Sequence, residues 1–232
     1  MKSRIFPSSR PFRAGALIAL AALALSSVCS AAPAIVIYYS FDSPPASAAL
    51  ASMKTEAAKI FDPASLSIEW RQLNGQSGEA ESEVVVVRFR GSCTADGWQN
   101  VGTPQSAAGG YSLADSRTSD GQVLPFAEVD CSALRGYLSG ERFADPAAAL
   151  GKAMARVLSH EIYHILTAST AHAHSGVARP EHSRAELTAA TFSFGKTETD
   201  WLKDWSARSR AATSGADAAD QSAVAETEAG AR

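Results

Sequence analysis

Histidine is missing from residues 1–159 and again from 183–232, so all five imidazoles of this chain fall at positions 160, 164, 172, 174 and 182. Methionine is missing after Met154, and the three cysteines form no C-x-x-C pair, which argues against a zinc site built on thiolates. The longest apolar run, AGALIALAALALSSV (14–28), falls short of the roughly 20 residues a membrane-spanning helix needs. Basic residues are not in surplus, 21 against 24 acidic ones, so the chain lacks the positive footprint that nucleic-acid binding requires. No internal repeat is present.

What the start of the chain does contain is a leader. Lys2, Arg4, Arg10 and Arg13 precede the apolar run, and the small residues CSAAPA follow it, as signal peptidase prefers. A cleaved signal peptide over 1–32 is therefore expected, with the protein exported to the periplasm or secreted and no stable membrane anchor. Val28, before Cys29, is bulky where a lipoprotein signal has a small residue. Loss of four basic residues and no acidic one leaves 17 against 24, a net charge of about −7. Cys93 and Cys131 remain, and in an exported chain two cysteines most simply form a disulfide, two separate buried thiols being the alternative. The first strand follows the leader almost at once, so no N-terminal pro-segment is expected.

AIVIYYSF (34–41) reads as a buried strand, and Asp42-Ser43-Pro44-Pro45 as the start of a helix carrying Leu50, Met53, Ala57, Ile60 and Phe61 at helical spacing. Asp62-Pro63 stops it. LSIEWRQL (66–73) alternates as a strand does, and EVVVVRFRG (83–91) is the clearest strand of all. A hairpin is expected around SRTSDG. QVLPFAEVDC (122–131) reads as extended, and Pro125, which cannot donate to a ladder, places it at a sheet edge. Asp145-Pro146 opens a long helix through AAALGKAMARVLSHEIYHIL. ELTAATFSF (186–194) and TETDWLKDW (197–205) read as helical, and 206–232, without aromatics or an apolar period, as a disordered tail.

On that long helix His160 and His164 are four residues apart and lie on one face, close enough to share an ion. Imidazole nitrogen suits zinc, and a hydrolytic zinc needs three protein ligands and one open position. Glu161, one step around the helix, can take a proton from the zinc-bound water as it attacks a carbonyl. For the third ligand the residues leave His172, His174 and Glu186 open. His182 reads as a surface residue near the cleft, and Tyr163 and Tyr111 as candidate cleft residues for which core or surface packing is the favoured role.

A long H-E-x-x-H helix after a β-α-β-β unit, with a further histidine just beyond it, resembles the metzincin zinc peptidases. Their usual third histidine stands six residues after the second, where this chain has Thr170; His172 stands eight after. The chain also resembles an uncharacterised group of exported bacterial proteins with the spacing H-E-x-x-H-x7-H, whose third histidine is followed four residues later by Gly-Ile-Met. Here that register reads Gly176-Val177-Ala178, which favours His172 over His174. The motif's glycine turn is replaced by Thr167-Ala168-Ser169, a small cost if Ser169 or a neighbour keeps a negative φ, and its methionine by Ala178.

The resemblance implies an α+β fold: a small mixed twisted sheet, an N-terminal helix, the long H-E-x-x-H helix, and a short helical C-terminal part, together a metallopeptidase-like domain over 33–205. It implies one catalytic Zn2+ held by His160, His164 and His172, with Glu161 as base, in a monomer acting on a peptide or protein substrate. That substrate would add as a strand to an edge strand within 111–129. The competing expectation is an exported zinc-binding protein without catalysis, on the same scaffold.

Overall fold

The computed structural model describes residues 34–73, 83–97 and 112–229. The leader with Cys29, and Tyr111, lie outside the described residues.

Five strands form one mixed sheet in the order β2-β1-β3-β5-β4. β1 (Ala34–Ser43), β2 (Ser67–Gln72), β3 (Val84–Ser92) and β5 (Gln122–Asp130) are parallel, and β4 (Ala114–Ser119) is antiparallel to β5 at one edge. β1 and β3 are interior, which is why both read as nearly continuous apolar runs. Their inward residues Ile35, Ile37, Val85, Val87 and Phe89 are fully buried, joined by Ala127 and Val129 of β5. The expected hairpin closes β4 onto β5 through Asp120 and Gly121, both at positive φ, as a two-residue hairpin turn requires.

Pro125 is a correction: β5 is not the edge strand. The β4–β5 register slips between Ser116 and Thr118, opposite Pro125, and pairing with β3 begins only at Phe126. The proline sits where no ladder bond is asked of it. Asp42 is another. It lies at a bulge of β1, where its carboxylate accepts from Arg88 and from the Gly91 N–H, so α1 starts later, at Ser47.

Helix α1 (Ser47–Phe61) ends in a 3₁₀ turn over Asp62–Ala64. Helix α2 (Cys131–Leu138), absent from the sequence reading, is capped by Asp130, which accepts from Ala133 N–H at 2.8 Å. Its first residue is bonded to Cys93, so the expected disulfide is present and ties the end of β3 to α2. Helix α3 (Pro146–Thr167) begins at the expected Asp145 cap and packs on α1. Gly151 allows the close approach: a Cβ there would stand 2.1 Å from the carbonyl oxygen of Ala49. Helix α4 is only Arg184–Thr188, so 189–194 are not helical as expected. The last helix, α5 (Lys196–Ala229), carries helical backbone on past Trp205, through the stretch read as a disordered tail and well beyond a short C-terminal part. Its alanine content favours the helix locally.

Arg156 holds the backbone where α4 ends. Fully buried on α3, it donates to Glu56 of α1 and to the carbonyls of Glu186 and Ala189, and its guanidinium stands 4.8 Å from the Phe192 ring. The Glu186 carbonyl accepts from both Arg156 and the Ala189 N–H, using its two lone pairs. Arg156→Met would leave the Glu56 carboxylate buried without its partner, an expected loss of about 3–5 kcal/mol of stability in urea unfolding, mostly recovered when Glu56→Leu is added. A single variant within about 1 kcal/mol of wild type would contradict this account.

Candidate metal centre

His160 and His164 project from the buried face of α3 and are 9% and 5% exposed. His172, exposed on the loop that follows, returns to them, and the ligating atoms of all three lie within 4.8 Å of one another. The two alternatives stand outside this group. His174 is exposed on the same loop. Glu186 is engaged elsewhere: one oxygen accepts from Arg179 at 2.8 Å, the other from the Ser183 N–H and hydroxyl in a capping box.

The orientation of the two helix imidazoles is fixed by backbone. Nδ1–H of His160 donates to the carbonyl of Val177 at 2.8 Å, and Nδ1–H of His164 to that of Ser169 at 2.7 Å. A carbonyl can only accept, so each ring carries its proton on Nδ1 and turns an Nε2 lone pair inward. Those two Nε2 atoms are 3.0 Å apart. Two lone pairs facing each other at that distance repel unless a cation lies between them. A proton is a poor candidate, because burial lowers His160 from the usual 6.5 to about 4, the Val177 bond opposing and the neighbouring imidazoles adding to the fall. A tetrahedral zinc with Zn–N of about 2.1 Å spaces its donors about 3.4 Å apart, close to what this pair already shows. The donor set fits zinc, with His172 on its loop as the ligand that has room to close in.

The turn out of α3 does not hold a negative φ throughout. Ala168 ends the helix in the left-handed conformation, φ 47° and ψ 38°, and its N–H donates back to the last turn. Beyond His172, Gly176 (φ 70°) bridges to Phe194, and a Cβ there would meet the Ser193 carbonyl at 2.5 Å. Val177 and Ala178 are buried beneath the site. Ala178 thus holds the place of the expected methionine in a turn that forms without it.

Glu161, 6% exposed, sits beside the cluster, facing β4. Burial pushes it up to about 7; hydrogen bonding to Ser116 opposes the rise and the charge of Asp115 adds to it. A cleft of about 900 Å³ opens over Glu161 and the three histidines, between Ser112–Thr118 on one side and Arg179–Glu186 on the other. His182 is in it and half-buried, not merely near it: its Nε2–H donates to the same Val177 carbonyl at 3.1 Å, and its ring meets Phe192. Tyr163 packs on Phe194 instead of lining the cleft. Ser116, the Val177 and Ser169 carbonyls and Arg184 were missed by sequence reasoning. Backbone acceptors leave no signature; the Ser183-x-x-Glu186 capping box, by contrast, was a readable sign that Glu186 was committed.

No family model matches the chain, and no curated protein does. Among solved structures it is similar to the archaemetzincin of Methanopyrus kandleri, at 14% identity, over 78% of this chain and 98% of that one, with a TM-score of 0.45.

Two outcomes follow. Ala168→Gly removes a left-handed alanine and is expected to raise stability by about 1 kcal/mol in thermal or urea unfolding. For the metal-free protein the site's titrations oppose each other. His160, lowered to about 4, takes its proton more readily when unfolded, so its burial costs stability as pH falls from 6.5 toward 4. Glu161, raised to about 7, holds its proton more tightly when folded, so its burial costs stability as pH rises from 4.5 to 7. In chelator-treated protein, Glu161→Gln is expected to leave stability unchanged at about pH 4.5 and to add on the order of 2 kcal/mol at about pH 7. An equal effect at both values would show that Glu161 is not desolvated.

Proposed function

We propose that the protein is an exported zinc-dependent peptidase, periplasmic or secreted, that hydrolyses peptide bonds as a monomer. The observation that carries this reading is the pair of inward Nε2 lone pairs 3.0 Å apart on α3, with His172 completing a three-imidazole set and a carboxylate alongside. His160, His164 and His172 would hold the ion. A zinc ion there supplies Lewis acidity toward a water and toward the substrate carbonyl. Glu161 is the group that moves protons. Its carboxylate takes one from the attacking water and returns it to the departing amide nitrogen; burial raises its affinity for the proton, and a bound cation would offset part of that rise. A zinc-storage site has no use for a desolvated carboxylate next to its imidazoles, which separates this reading from simple metal binding.

The cleft supports a peptide substrate. β4 lies at the sheet edge beside Glu161, and an extended chain can add to such an edge through main-chain hydrogen bonds. Export agrees with the Cys93–Cys131 disulfide, a bond that persists in oxidising compartments. Among the described residues no helix is long and apolar enough to cross a membrane.

The test separates ligand from base. Glu161→Gln should retain about one equivalent of zinc by metal analysis and lose hydrolysis of a peptide library by roughly 10²-fold or more. His172→Ala should lose zinc, and with it the zinc-dependent rise in melting temperature. Zinc-loaded wild type that cleaves no peptide would leave only the binding role.

A further inference from the structure

Two guanidiniums line the cleft, and they are not equivalent. Arg179 is committed: it pairs with Glu186 and donates to the carbonyl of Glu181 at 2.8 Å. Arg184, the first residue of α4 and half-buried, makes one long bond, Nη1 to the Ser139 carbonyl at 3.3 Å, and lies 5.4 Å from the centroid of the Tyr137 ring. Among the described residues no carboxylate lies within ion-pair distance of it, a state it shares with Arg135, Arg142, Arg208 and Arg210; of the two arginines that line the cleft it is the one without a carboxylate. Tyr137 is itself held, its hydroxyl donating to the backbone carbonyl of His182 at 2.9 Å. The guanidinium therefore lies over a fixed ring in the wall that carries His182, with most of its N–H fork uncommitted. A guanidinium fork matches a carboxylate in two parallel hydrogen bonds.

We propose that Arg184 binds a substrate carboxylate and makes the cleft select peptides bearing an acidic group within a few residues of the metal centre. The inference rests on the peptidase reading for the word substrate, but its test does not need turnover. The carboxylate can come from an Asp or Glu side chain or from the peptide's own C-terminus.

Binding is measured to zinc-loaded Glu161→Gln protein, using acetylated hexapeptides in which one Glu, or one Gln, is scanned through each position. Each is made with an amidated and with a free C-terminus. At least one Glu position, or the free C-terminus, should bind about tenfold or more tighter than its neutral counterpart, and which of the two does so identifies the source. Adding Arg184→Ala should abolish the preference, and Arg184→Glu should transfer it to Lys peptides, with zinc content unchanged in both. Equal binding of Glu, Gln and free-carboxylate peptides overturns the proposal, as does a preference that survives Arg184→Ala. Failure of the peptidase reading looks different: wild type leaves intact the very acidic peptides that the Glu161→Gln protein binds.

Discussion

The carbonyls of Val177 and Ser169 accept from Nδ1 of His160 and His164, and that pair of bonds sets the chemistry of the site. An imidazole is ambiguous until one nitrogen is committed. Here both rings are committed the same way, so two basic nitrogens converge in a place too buried to take up protons easily. The energy of that convergence is unfavourable by itself and becomes favourable only with a cation, a form of pre-organisation that outer partners of metal ligands commonly provide.

Everything upstream serves to hold those carbonyls against α3. Gly151 lets α3 lie on the backbone of α1, and Arg156 fastens α1, α3 and the 186–189 segment together with a buried charge pair and two carbonyl bonds. The stretch after α4 then runs past the turn at Gly176, where Val177 N–H donates to the Ser193 carbonyl at 3.0 Å. Arg156 lies one helical turn before His160 on α3, so its grip on that segment falls about 6 Å along the helix axis from His160.

The parts legible in the sequence were those encoded in side-chain pattern. The interior strands announced themselves as apolar runs, α3 by its Asp145-Pro146 start, and His160, Glu161 and His164 by their spacing. Register alone favoured His172, and the structure groups that residue, not His174, with the helix pair. What could not be read was decided by backbone or by long-range contact. Pro125 was misplaced because a bulge absorbs it; the backbone where α4 ends is held by Arg156, 30 residues before Glu186. Arg184 carries no motif, and its meaning comes from its place in the cleft wall.

The missing methionine can be weighed on the same physical grounds. A thioether beneath a metal contributes packing, and packing there can be supplied by other buried groups: Val177 and Ala178 are both fully buried. What packing cannot supply is direction, and direction here comes from the Val177 carbonyl, which is indifferent to the side chain that follows it. The same carbonyl also receives His182, so one oxygen couples His160 to the cleft wall that bears Arg184. The orienting bond therefore needs no methionine at position 178, while a change that moved the 176–178 backbone would disturb His160 and the wall together.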